Sequence, residues 1–143
     1  MEKVGVIAHL SYKDTYSRKH ITTLRDYYGD VCRAFGISDM VLVNQGSAKL
    51  IYSNVVDSFD EAMSRFTNYK PIYLMPSGLV RLGSFKHPDA EAVYIIGPDH
   101  YCSYKIPDGA VTVTIGRDNL WGHQALAITL WDRAVKEKTW LSL

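Results

Sequence analysis

Residues 92–99 read AVYIIGPD, a run of five apolar residues that leads directly into a glycine and a proline. A short continuous apolar run of this kind is typical of a strand that is buried on both faces of a parallel sheet. Two further runs share the pattern, because residues 72–78 read IYLMPSG and residues 111–116 read VTVTIG. Each predicted strand therefore ends in its own loop that contains glycine.

Helical periodicity alternates with predicted strands along the chain. Strands are also predicted at 4–10 and 40–43, and helices at 57–68 and 121–136. A further helix at 21–35 is indicated by one apolar face, formed by Ile21, Leu24, Tyr28, Val31 and Phe35. The alternation predicts an α/β fold with a mostly parallel sheet flanked by helices, in a single domain that spans residues 1–143.

Capping residues mark the predicted helix ends. Thr22 or Thr23 is the expected N-cap of the helix at 21–35, and Gly36 is placed to end it in a left-handed conformation. Ser58 and Glu61 match the spacing of a capping box, which supports the helix predicted to begin at residue 57.

The segments 76–91 and 97–110 are interrupted by glycine and proline, and neither is suited to a full helix. A doubly wound fold would place helices in both. Open α/β sheets bind ligands at the carboxyl ends of their strands, where glycine lets backbone approach a ligand and proline stiffens the turn. These loops therefore predict a binding site, although strand-ending turns without a function would show the same pattern.

The composition and the residue counts make several classes of protein improbable for this chain. The chain has 143 residues, 47% of them hydrophobic, which suits one folded core, and a net charge of +1, which gives no bulk attraction to nucleic acid. Cys32 and Cys102 are too few for a disulfide framework, and we expect both to be reduced. The five histidines lack metal-ligand spacing, so no metal is expected. No signal peptide or membrane span is indicated, which favours a cytoplasmic location.

Several motifs resemble those of the SpoU/TrmH branch of the SPOUT RNA methyltransferases. Residues 94–99 resemble the second motif, and residues 119–132, NLWGHQALAITLWD, resemble the third, which is typically Ser-Leu-Asn followed by small residues and an alanine-rich helix. Residues 33–36 followed by 40–43 resemble the first motif. A narrower resemblance, in residues 21–23, 33–36, 113–116 and 123–133, is to archaeal tRNA ribose methyltransferases that modify a T-loop cytidine.

The resemblance implies a C-terminal trefoil knot of the SPOUT type and a homodimer whose methyl acceptor enters a groove between the protomers. It also implies transfer of a methyl group from S-adenosylmethionine to a ribose 2′-hydroxyl of RNA, with tRNA the expected substrate. The residues that would bind the cofactor are Met75, Pro76, Ser77, Gly78, Ile96, Gly97, Pro98, Ile115, Gly116, Leu120 and Trp121.

The resemblance carries two residues over as catalytic, Arg33 and Asn119. Arg33 is the nearest match to the arginine that assists the hydroxyl in the family, but the motif is compressed here and Arg25 competes for the role. A helix-surface arginine paired with Asp30 is the structural alternative. Asn119 stands where the family has serine, and Trp121 where it has asparagine; Trp121 could stack on a base or adenine, or seal the dimer.

The sequence leaves two other functions open. The two departures in the third motif favour, as the main alternative, a catalytically inactive knot domain that binds RNA or a protein. An unrelated α/β nucleotide-binding module is a second alternative. Residues 12–25 are dense in tyrosine, lysine and arginine, and they are either an RNA contact or a solvated loop.

Overall fold

The computed structural model describes residues 4–11, 16–98, 105–116 and 120–143. Three α-helices occur in these ranges, α1 (Arg18–Ala34), α2 (Phe59–Ser64) and α3 (Gly122–Lys136), together with 3-10 turns at Leu82–Ser84 and Trp140–Ser142. The strands are β1 (Val4–Ser11), β2 (Asp39–Asn44), β3 (Val55–Val56), β4 (Lys70–Leu74), β5 (Val80–Arg81), β6 (Ala92–Ile96) and β7 (Val111–Thr114).

These strands form one sheet in the order β3-β2-β1-β6-β4-β7-β5, and every neighbouring pair is parallel. The predicted α/β fold with a mostly parallel sheet flanked by helices is therefore confirmed. Strands β3 and β5 were not predicted, because a two-residue strand is too short to show a period. They form the two edges of the sheet, where short strands expose few unpaired backbone groups. The trefoil knot stays a prediction.

Helix α1 begins three residues earlier than its apolar periodicity indicates. Its N-cap is Ser17, whose side chain accepts a hydrogen bond from the backbone N–H of His20 at 3.2 Å. The expected caps, Thr22 and Thr23, lie inside the helix, where their hydroxyls donate to the carbonyls four residues back. The prediction of the start was wrong because the exposed first turn carries no apolar residue that would extend the pattern.

The other helix ends agree better with the sequence. Gly36 has a φ of 69° and follows α1 as expected. The side chain of Ser58 accepts from the N–H of Glu61 at 3.1 Å, so Ser58 caps α2, which begins at Phe59, two residues later than predicted. This helix ends at Ser64 rather than at the predicted residue 68, and a turn continues from there to β4.

Helices cover both faces of the sheet. One face packs against α1 and α3, with Tyr28 and Leu126 fully buried between the layers. The other face packs against α2, where Phe59 and Phe66 contact the sheet. A side chain on Gly5 of β1 would clash with the Phe66 ring, so glycine permits this close packing.

A network of four buried or half-buried polar side chains fixes α3 to the segment before β6. His87 Nε2 lies 2.7 Å from Asp132 Oδ2, and His87 Nδ1 lies 2.6 Å from the Tyr94 hydroxyl. Lys136 donates to Asp132 at 2.8 Å and to the carbonyls of Leu82 and Phe85 at 2.6 and 2.7 Å. All three ammonium protons are thereby used, as a partly buried lysine requires.

Candidate functional site

The three glycine-containing loops meet on the side of the sheet that is formed by the carboxyl ends of its strands. This side, with the loops at 75–78, 96–98 and 115–116, is called the loop edge. Strands β6, β4 and β7 are neighbours, and Leu74 is in register with Ile96 on one side and Val113 on the other. Because the strands are parallel, their carboxyl ends lie side by side. The predicted cofactor loops at 75–78, 96–98 and 115–116 are thus brought together, in the position where open α/β sheets bind ligands.

The loop after β4 folds against the backbone of β7. The N–H of Met75 donates to the Val113 carbonyl at 3.0 Å, and the Thr114 hydroxyl donates to the Pro76 carbonyl at 2.9 Å. A Cβ on Gly78 would lie 2.5 Å from the carbonyl carbon of Val113. Only glycine allows this approach, so the fold itself requires a glycine at position 78, and cofactor binding by Gly78 stays a prediction.

The loop after β6 is held by side chains from both neighbouring strands. His9 of β1 lies with its Nδ1 atom 2.8 Å from the carbonyl oxygen of Ile96. Tyr73 of β4 places its hydroxyl where a side chain on Gly97 would have to sit. Neither His9 nor Tyr73 was predicted as a site residue, because each occupies a strand position that the pattern assigns to the core.

The start of α3 closes the same edge. A Cβ on Gly122 would clash with the Tyr28 hydroxyl and with the Ile96 side chain, so the first residue of α3 rests against the end of β6. Leu120 and Trp121, the residues before it, are each 41% exposed. The structure therefore brings the predicted cofactor residues of the third motif to the loops that carry the other predicted cofactor residues.

Aromatic rings line the side of this edge next to α1. His20 lies with its ring centroid 4.1 Å from that of Tyr16 and 6.1 Å from that of Trp121. Arg18 and Lys19 are exposed beside them at the beginning of α1. The described part of residues 12–25 thus belongs mainly to a helix whose first turn reaches the loop edge, whereas residues 12–15 lie outside the described ranges.

Arg33 does not lie at this edge in its own chain. Helix α1 starts at the carboxyl edge of the sheet and runs to the amino edge, and Arg33 is fifteen residues beyond Arg18, about 22 Å along the helix axis. Its side chain is 72% exposed and forms an ion pair with Asp30, as the structural alternative predicts. It borders an open cavity of about 680 Å³ that also touches Val4, the first residue of β1.

The competing arginine is occupied by other contacts. The Arg25 guanidinium stacks 4.0 Å from the centre of the Tyr52 ring and pairs with Asp26 at 3.1 Å. Asn119, the second predicted catalytic residue, lies outside the described residues. The described part of one chain therefore contains the predicted cofactor loops without a predicted catalytic side chain beside them.

The histidine that contacts the loop after β6 is neutral at pH 7. Burial lowers the pKa of His9 to about 4, so its imidazole carries one proton at neutral pH. Cys32 is buried in α1. Within the described ranges, no three His, Cys, Asp or Glu side chains are grouped so that they could hold a metal ion, and no helix there is long and apolar enough to cross a membrane.

Solved structures of other proteins share this architecture, among them the following three. The first is a crystal structure from Bacillus anthracis of a protein assigned as an RNA methyltransferase without proof of activity. It has 12% identity to this chain and a TM-score of 0.61 over 95% of each chain. The TrmH/SpoU tRNA modifying enzyme of A. aeolicus has 12% identity and a TM-score of 0.66, over 99% of this chain and 80% of its own. A structure concerned with the 2-OH methylation of C/U34 on tRNA has 13% identity and a TM-score of 0.60, over 96% and 93%.

No protein-family model and no curated protein sequence matches the chain. The likeness is therefore one of three-dimensional structure, and at these identities it establishes the fold. The chain has the TrmH/SpoU type of α/β fold that its motifs resemble.

Proposed function

We propose that this protein is an S-adenosylmethionine-dependent RNA methyltransferase that modifies a ribose 2′-hydroxyl, with tRNA as its substrate. The observation that carries the proposal is the meeting of three glycine-containing loops at the ends of β6, β4 and β7, in a fold shared with RNA methyltransferases. Two of the similar structures reported above concern the modification of tRNA.

The loop edge fits a small ligand that is held mainly by backbone. Gly78 and Gly97 lie where any side chain would collide with a neighbouring strand, so the loops stay close to the sheet, and a ligand bound there would meet mainly backbone. Leu120 and Trp121 offer half-exposed apolar surface for an adenine ring or the methionine chain. The cofactor, when bound, supplies a methyl group on a positively charged sulfur.

The protein must then position the acceptor, because a ribose hydroxyl is a weak nucleophile. A cation near the hydroxyl would stabilise the developing negative charge on oxygen. Arg33 is too far from the loops of its own chain to do so, and its proposed catalytic role therefore requires a second copy of the protein. Arg18 and Lys19, exposed on the loop edge, suit contacts with RNA phosphates.

Apolar residues on α3 support a homodimer. Ile128, Trp131 and Val135 are 42%, 50% and 45% exposed and recur at helical spacing, and Tyr27 of α1 adds a further exposed aromatic ring. A stripe of this size on the surface of a small domain is typical of an interaction site. We expect Trp131→Glu to give monomers in sedimentation analysis, whereas Thr67→Glu, beyond α2 on the opposite face, leaves the association unchanged.

The first test is calorimetric titration with S-adenosylmethionine and S-adenosylhomocysteine, followed by incubation with bulk tRNA and analysis of the digested nucleosides. We expect one ligand per chain and a 2′-O-methylated nucleoside. The identity of that nucleoside also tests the narrower resemblance, which points to a T-loop cytidine. Binding of RNA without cofactor binding or methyl transfer would instead favour the inactive binding module, which the tryptophan at position 121 supports.

A further inference from the structure

The end of β6 is flanked by two buried polar side chains that the proposed chemistry does not use. His9 and Tyr73 come from β1 and β4, the strands on either side of β6, and they are 1% and 3% exposed. Both lie on the α2 face of the sheet, and both address one short stretch of backbone, the step from Ile96 to Gly97. Burying a polar side chain costs free energy unless it forms a hydrogen bond, so two such side chains beside the same peptide indicate a specific role.

We propose that His9 is a positioning residue for the cofactor site, whose Nδ1–H holds the Ile96 carbonyl and thereby fixes the path of the Gly97–Pro98 loop. The inference rests on the proposed function, since it assigns to His9 an effect on cofactor affinity. The contact joins residues 87 positions apart in the sequence, at the last residue of β6. The pairing of β6 with β1 and with β4 ends at this residue.

The direction of the hydrogen bond follows from the charge state. A buried imidazole with a pKa of about 4 is neutral at pH 7 and carries its proton on one nitrogen. The Ile96 carbonyl can only accept, so the proton is on Nδ1 and the histidine is the donor. The Phe59 ring, 5.3 Å from the imidazole centroid, packs on the ring and limits its rotation.

Tyr73 makes the loop sensitive to this contact. Its hydroxyl occupies the space beside Gly97, so the loop cannot relax toward β4 without a clash. A carbonyl that loses its donor in a buried position must turn toward water or another donor. Turning the Ile96 carbonyl rotates the peptide that includes the Gly97 N–H, and it displaces the backbone that the proposed cofactor would contact.

Two nearly isosteric substitutions separate positioning from packing. In His9→Asn the side-chain amide keeps an N–H close to the place of Nδ1, whereas His9→Leu has a similar shape and no donor. We expect S-adenosylhomocysteine to bind His9→Asn within about threefold of the unchanged protein, and His9→Leu about tenfold more weakly, which corresponds to the loss of roughly 1.4 kcal/mol. A purely packing role would favour leucine over asparagine, and the order of affinities would be reversed.

Amide hydrogen exchange without any cofactor provides the second readout. The Gly97 amide should exchange faster in His9→Leu than in His9→Asn, while the amides of β2 remain unchanged. If the unchanged protein binds neither S-adenosylmethionine nor its demethylated product, the proposed cofactor is wrong, and the exchange comparison still tests the contact. Equal affinities and equal Gly97 exchange in the two variants overturn the inference. Should His9→Leu fail to fold, His9→Gln displaces the donor by one methylene and is expected to weaken binding in the same direction.

Discussion

Removing the hydroxyl of Tyr94 is the most direct test of the network that fixes α3. Tyr94 is fully buried in β6, and its hydroxyl is 2.6 Å from His87 Nδ1. Desolvation by burial lowers the pKa of His87, so the imidazole is neutral, and burial raises the pKa of Tyr94, so the phenol keeps its proton. Since the Asp132 carboxylate accepts from Nε2–H, the Tyr94 O–H is the donor to Nδ1.

Tyr94→Phe therefore leaves a buried ring nitrogen without its donor. Exchange of the imidazole proton to Nδ1 gives no relief, because it would remove the donor that the Asp132 carboxylate uses. An unsatisfied buried acceptor costs about 1–3 kcal/mol. With an unfolding entropy of about 2.1 cal/mol/K per residue, this corresponds to a fall in Tm of roughly 3–10 °C for a chain of this length.

Urea denaturation followed by circular dichroism measures this change at fixed protein concentration. Tyr27→Phe is the matched control, because it deletes the same hydroxyl from a side chain that is 46% exposed, and it should change the free energy of unfolding by less than about 0.5 kcal/mol. In a His87→Leu background the acceptor is gone, so Tyr94→Phe should cost much less there. An equal cost in both backgrounds would refute the assignment of the effect to this hydrogen bond.

Three further predictions concern His9, Gly97 and Arg33. Because His9 has a folded pKa of about 4 against 6.5 when unfolded, its contribution to stability is present above pH 6.5 and should fall by about 2 kcal/mol between pH 7.5 and 5; urea titrations of His9→Asn should lack this component. Gly97→Ala should weaken S-adenosylhomocysteine binding at least about tenfold in calorimetry, while Gly83→Ala, which has open space, should not. Arg33→Ala should abolish methyl transfer and leave cofactor affinity within a few fold, with Arg65→Ala active; full activity of Arg33→Ala would remove Arg33 from the mechanism.

The sequence predicted the inner strands well because their residues are buried on both faces. Ala92–Ile96 is an unbroken apolar run, and its bounds are those of β6. Prediction was poorer where hydrogen bonding rather than burial sets a boundary. The start of α1 depends on the side chain of Ser17, and the exposed first turn gives no periodic signal. The strand β5 exists only because Val80 finds a partner on β7, a contact distant in sequence.

In the candidate site, the loops could be predicted from the sequence and the residues that support them could not. The loops at Gly78 and Gly97 follow strands that the pattern identifies, and parallel strands bring their ends to one edge. The residues that support the loops could not be predicted in this way. His9 and Tyr73 lie at strand positions whose side chains face the core. They reach Ile96 and Gly97 only because β6 lies between β1 and β4, an order that the sequence does not reveal. A histidine at the end of an otherwise apolar first strand was the one available signal.

Arg33 illustrates the limit of carrying a motif over by spacing alone. The match places it two residues before Phe35, near the end of α1, and that end lies at the amino edge of the sheet. The cofactor loops lie at the carboxyl edge and are held by buried contacts within one chain. Cofactor binding should therefore be a property of the folded single chain, whereas methyl transfer should depend on association through α3. On this reasoning the Trp131→Glu monomer retains affinity for S-adenosylhomocysteine and loses methyl transfer, and a monomer with full activity would show that each chain holds a complete site.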